Sequence, residues 1–126
     1  MFDYIPDFYR PKEERHITYH GVYRAVINVE TLTPEDFEPS FMEPNYRLKN
    51  KQSDYSVSLF RDKSIIILYR KKFPGFKKYC GIAVGDTSKE RGVSIGGENS
   101  HVDYFLYDYL SNSPCEDFSV CEVFDE

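Results

Sequence analysis

Tryptophan is absent from this sequence of 126 residues, cysteine and histidine occur three times each, and the longest aliphatic run is Ile65 to Leu68. A membrane-spanning helix needs about 20 consecutive apolar residues, so the sequence offers none. The opening residues, Met1-Phe-Asp-Tyr-Ile-Pro-Asp7, carry neither a basic segment nor an apolar stretch, which predicts a protein that stays in the cytoplasm. Three cysteines, Cys80, Cys115 and Cys121, are an odd number and too few for a disulfide scaffold, which suits a reducing compartment. A Cys115–Cys121 bridge is compatible with the sequence, but nothing requires it. No His-Glu-x-x-His occurs, so that common hydrolase signature is missing. The glycines of 81–85 and 92–97 lack the lysine and spacing of a phosphate-binding loop and read as turn residues.

Basic residues are also absent from 92–126, which holds eight acidic ones. Residues 1–45 carry four basic and nine acidic side chains and residues 46–91 twelve and four, so charge runs −5, +8, −8 within a total of −5. The middle third is thus a basic segment inside an acidic protein, and such blocks set surface potential and steer partners. Eleven tyrosines and ten phenylalanines must supply much of the core. Their density points to a sheet protein with partly covered faces, each tyrosine burying its ring while its hydroxyl seeks an acceptor. At this length a single domain over 1–126 is expected, burying roughly two-thirds of the unfolded surface.

Residues 1–15, with Pro6 and Pro11, read as an extended N-terminal arm docking by Phe2, Tyr4, Phe8 and Tyr9. From Ile17 to Val29, β-branched and aromatic residues alternate as a strand buried chiefly on one face, with Gly21 marking a bulge or bend. Thr33-Pro-Glu-Asp-Phe37 is a helix start: capping residue, proline at the first position, acids in the first turn. Pro39 and Pro44 end it, and 38–54 reads as a surface loop carrying Arg47, Lys49 and Lys51. Strands are predicted at 55–60, 79–84, 92–95, 101–109 and 118–124. Asp62 caps a helix reaching about Lys72, although the isoleucine run within it also fits a strand. Lys71–Lys78, centred on Pro74-Gly75, is a hairpin tip or tight connection. Turns this short exclude most parallel crossovers. The expected fold is therefore α+β, a mainly antiparallel, curved or partly closed sheet of five or six short strands with one or two short helices.

Among candidate sites, His16-Ile17-Thr18 resembles the histidine-x-hydroxyl half-motif of the two-histidine phosphoesterases. That resemblance implies paired histidines as general base and acid, with hydroxyls holding phosphate. Its second copy would be His101-Val102-Asp103, where a carboxylate replaces the hydroxyl and repels the anion. A looser constellation needs His20, Arg24 and His101 to converge near Tyr19 or Tyr104, which suits a nuclease or transferase acting on a nucleotide or RNA phosphodiester. His20, Val22 and Arg24 share one face of a strand. The pool of metal ligands is His16, His20, His101, Asp103, Cys115 and Cys121, but its spacing fits no zinc knuckle, and no metal or cofactor is implied.

The leading expectation is a small cytoplasmic module that binds a protein partner through its aromatic, acidic C-terminal third, with Tyr104, Tyr107, Asp108 and Tyr109 as anchors. Self-assembly is compatible with it. The catalytic alternative uses His20, Arg24 and His101. A third reading is nucleic-acid binding without chemistry through the basic 46–91 segment, with Arg70, Lys71, Lys72, Lys77 and Lys78 on phosphate.

Overall fold

The computed structural model describes residues 1–125. Six strands, β1 (Val22–Val26), β2 (Val57–Phe60), β3 (Gly81–Gly85), β4 (Gly92–Gly96), β5 (His101–Leu106) and β6 (Phe118–Val123), and one α-helix, α1 (Lys63–Lys72), are joined by irregular segments with short 3-10 turns. The strands form one wholly antiparallel sheet in the order β4-β5-β2-β1-β3-β6. This is the α+β architecture expected, with the sheet open rather than closed. Both edges are occupied or distorted. The backbone N–H of Ile17 donates to Ser94 O on β4, while in β6 Cys121 is an extra residue between the pairs Val120–Ala83 and Glu122–Ile82. A bulge of that kind twists an edge strand away from further pairing.

β1 is shorter than the 17–29 pattern predicts, for two local reasons. Gly21 turns the chain at φ +71°, and beyond Val26 the N–H groups of Ile27 and Asn28 donate to Asp36 Oδ1 at 2.9 and 3.1 Å instead of to a strand. Asp36 is 3% exposed and also accepts from Thr33 N–H and the Asn28 amide, so the 27–36 loop folds around one buried carboxylate. β1 is also buried on both faces, not chiefly on one. Phe37, in the 3-10 turn Pro34–Phe37, belongs to the cluster that holds Val22 and Val26, whereas Ala25 packs under α1 with Ile66.

The isoleucine run resolves as helix because Asp62 accepts from Ser64 N–H at 2.9 Å and its last turn sets Arg70, Lys71 and Lys72 against the dipole's negative end. Phe73, preceding Pro74, is extended and ends it.

One face of the sheet carries the largest core cluster, with Val57, Leu59, Val102, Tyr104 and Leu106 beside Phe37 and Phe118. The other face is covered in two pieces. Helix α1 lies over Ala25, Phe60 and Ile82, while Phe2 and Ile5 of the N-terminal segment cover Val93 and Phe105. Phe2 N–H donates to Tyr107 O and the Tyr4 hydroxyl to Leu106 O, which fastens that segment along β5. Neither cover reaches the middle of β2 and β5.

Candidate functional site

In that uncovered strip, β2 presents Ser58 and Phe60, and β5 presents Asp103 and His101 directly opposite them. Strand positions of one parity share a face, so the sequence lines two central strands with polar groups where a core would carry apolar ones. A cavity of about 600 Å³ opens above them. Its lining includes the rings of Tyr69, Phe76 and Tyr79, from α1 and the segment after it, together with Glu43, Tyr46, Lys49 and Lys51 from the 40–53 segment. The Gly97–Asn99 turn between β4 and β5 also lines it.

His101 is the imidazole that lines this cavity. Its Nδ1 lies 3.5 Å from Asp103 Oδ1, and its ring packs on Phe60 with centroids 5.4 Å apart. Buried Ser56 has its hydroxyl 2.9 Å from the same Asp103 oxygen. A hydrogen bond closed from Nδ1 to that carboxylate would hold the proton on Nδ1 and leave the Nε2 lone pair to accept one.

Arg24 also lines the cavity, through a gap in the sheet. The β1–β2 ladder has one pair, Tyr23–Phe60, and where the strands part the Arg24 guanidinium donates to Asp36 O at 2.9 Å and to Ser58 O at 3.1 Å. Glu43 stands 3.8 Å from its remaining nitrogen and accepts from the Tyr79 hydroxyl at 3.4 Å. Burial pushes the Tyr79 phenol above its ordinary value, with Glu43 adding to the effect and Arg24 opposing it. Arg24 is thus a largely satisfied wall residue, and the cations left for a ligand are Lys49 and Lys51, both exposed at the rim.

The loop holding those lysines is built around Asp54. This carboxylate is 1% exposed and accepts from the Tyr46 hydroxyl at 2.7 Å and from the N–H groups of Lys49 and Lys51. Asn50 between them adopts φ +56°, a conformation asparagine tolerates.

Of the residues singled out in the sequence, Arg24 and His101 share this cavity and His20 does not. His20 is mostly exposed, with Nδ1 3.4 Å from Asp86. The two halves of the phosphoesterase-like motif also lie apart. His16 sits in a separate depression with Glu13, Glu14 and Lys89, accepting from Ser94 N–H on Nδ1 and contacting Thr18 through Nε2. Tyr104 is fully buried, its hydroxyl bonded to Ser88, so it is core and no surface anchor. Tyr107 packs on Phe2 and Tyr109 on Tyr4, and the exposed Asp108 carboxylate is bonded to Ser111. Arg70 donates to Tyr79 O and lies over the Phe124 ring at 4.4 Å, while Lys71, Lys72, Lys77 and Lys78 are exposed. No group of three or more histidine, cysteine, aspartate or glutamate residues among those described is arranged to hold a metal, and no described helix is long and apolar enough to cross a membrane.

The sequence reading missed Asp103 as a partner for His101, the Tyr46–Asp54 loop and the aromatic wall. The available signal was parity: His101, Asp103 and Ser58 fall on one face of their strands together with Phe60 and Phe105. The comparisons add no relative: no family model, no curated protein and no solved structure matches this chain.

Proposed function

We propose that this cavity binds a nucleotide-class phosphoester and that His101 moves a proton during its cleavage. The observation that carries the reading is the His101–Asp103 pair, set in the floor of a cavity lined by rings and by Lys49 and Lys51. Rings accept a planar base, lysines neutralise phosphate, and an imidazole oriented by a carboxylate is suited to general acid–base work. In the simplest reaction, His101 Nε2 takes the proton of a ribose 2′-hydroxyl. That oxygen bonds to phosphorus as the bond to the leaving oxygen breaks, and the leaving group departs with the electron pair. The histidinium then returns its proton to solvent at the open mouth.

Docking of a protein on the C-terminal third draws less support, because Tyr104 is core and the Tyr107 and Tyr109 rings are engaged by the N-terminal segment.

The test is turnover of the p-nitrophenyl ester of uridine 3′-phosphate, which releases a coloured phenolate. The expected result is His101-dependent release, with His101→Asn lowering kcat by about a hundredfold or more and leaving KM within a few fold. Wild-type release no faster than that of His101→Asn overturns the catalytic reading.

A further inference from the structure

We propose that the occupant of the pocket is one nucleotide of a single-stranded nucleic acid whose neighbouring nucleotides lie along residues 71–78. This rests on the nucleotide reading of the pocket and extends it from a mononucleotide to a polymer.

Two independent features meet on that segment. The first is a ladder of ring contacts leading out from the reacting histidine. His101 packs on Phe60 at 5.4 Å, Phe60 on Tyr69 at 5.9 Å, and Tyr69 on Phe73 at 5.2 Å and on Phe76 at 5.5 Å. Phe73 ends the ladder at 48% exposed, beyond the cavity wall that Tyr69 and Phe76 form. The contacts from Phe60 outward are edge-to-face and Phe60 itself is buried, so Phe73 is the ring of this series that an unpaired base reaches and stacks on.

The second feature is charge. Lys71, Lys72, Lys77 and Lys78 flank Phe73 in sequence, all are exposed, and none takes part in an ion pair among the described residues. Among the described residues Lys71, Lys72 and Lys77 have no carboxylate partner, while Lys78 lines a pocket that also holds Glu35, Glu38 and Glu43. A protein of net charge −5 that holds four exposed lysines without an ion pair among the described residues, next to an exposed aromatic ring, has the electrostatic footprint of a single-strand track rather than of general anion attraction. Single strands expose both the base faces and the phosphates that such a track needs, whereas a duplex buries the faces.

The experiment measures binding of uridine 5′-monophosphate and of ten-residue oligouridylate and oligothymidylate by the full chain and its variants, across salt concentration. The proposal expects the oligonucleotide to bind more tightly than the monophosphate, with a slope of log affinity against log salt near −4, from about 0.7 per neutralised phosphate over the four track lysines with Lys49 and Lys51. Replacing Lys71, Lys72, Lys77 and Lys78 together by alanine flattens that slope to about −1.4 and leaves monophosphate affinity unchanged. Phe73→Ala weakens the oligonucleotide by about tenfold, and Phe73→Tyr restores it. The RNA and DNA probes report whether the 2′-hydroxyl is read.

An oligonucleotide that binds no better than the monophosphate overturns the proposal and leaves the pocket reading standing. Oligonucleotide binding that needs the four lysines but ignores Lys49→Ala and Lys51→Ala overturns both. Polyglutamate binding as tightly as the oligonucleotide overturns the nucleic-acid assignment in favour of an acidic polypeptide.

Discussion

The hydroxyl of Tyr46 donates to Asp54 Oδ1 at 2.7 Å, and the N–H groups of Lys49 and Lys51 converge on the same buried carboxylate. The loop that carries the rim lysines is therefore held by an anion supplied from within the chain. Asp54→Asn replaces an acceptor oxygen by an amide that confronts these donors. The expected loss of stability is about 2 kcal/mol, read from denaturant midpoints. The same variant weakens nucleotide binding, because the lysines lose their fixed positions, and keeps His101-dependent turnover at saturating substrate. An unchanged midpoint contradicts this role for Asp54.

Acid should destabilise the protein in two steps. Burial pushes the His16 imidazole below its ordinary value, and Lys89 adds to this, in keeping with Nδ1 acting as acceptor from Ser94 N–H. A histidine whose folded value is depressed contributes stability that is whole above its unfolded value of about 6.5 and erodes as pH falls through the folded one. Asp54 lies below its ordinary value for the opposite balance: burial alone would raise it, but the Tyr46 hydroxyl and the surrounding N–H groups outweigh that. Its contribution is present above about pH 4 and is lost on further acidification. Unfolding free energy measured from pH 8 to 3 should fall first below about 6.5, and His16→Asn should flatten that upper step while leaving the lower one.

Much of the fold was legible in the sequence. Each of the six strands falls within or overlaps a segment predicted as a strand, and the Asp62 cap and the Thr33–Asp36 helix start are both present. What escaped is what depends on non-local partners. Nothing local says that Ile27 and Asn28 will give their N–H groups to Asp36, so β1 reads too long. Tyr104 shows why the aromatic C-terminal third looked like a surface: its polar tip finds Ser88, sixteen residues away in sequence, and the ring goes inside. His20 and Arg24 share strand parity, but Gly21 turns the chain between them and sends His20 to Asp86. Strand order, which sets β2 beside β5 and so pairs Ser58 with Asp103, carries no local signal at all.

The β4–β5 turn stores removable strain. Asn99 and Ser100 adopt φ +55° and +69° with His101 N–H closing the turn on Glu98 O, and the buried Ser100 hydroxyl has no hydrogen-bond partner among the described residues. Left-handed backbone costs a serine about 1 kcal/mol that glycine avoids. Ser100→Gly should raise stability by about that amount, read from thermal and denaturant midpoints. A destabilised variant would mean that the Ser100 side chain holds the turn.

Gly92 lies under the neighbouring strand, and a Cβ there would meet Phe105 O and the Leu106 backbone. Backbone in the middle of a sheet has little room to give. Gly92→Ala should cost about 3 kcal/mol or more, visible as a lowered denaturant midpoint with an unchanged slope.

The most direct test of the account is a nitrogen-15 correlation map of the protein titrated with uridine 5′-monophosphate. The account predicts saturable shifts at Ala25, Lys49, Lys51, Ser58, Asn99, His101 and Asp103, all lining the one cavity, with residues 107–112 unmoved. No saturable shift, or shifts confined to 107–112, would contradict it and return attention to the C-terminal surface.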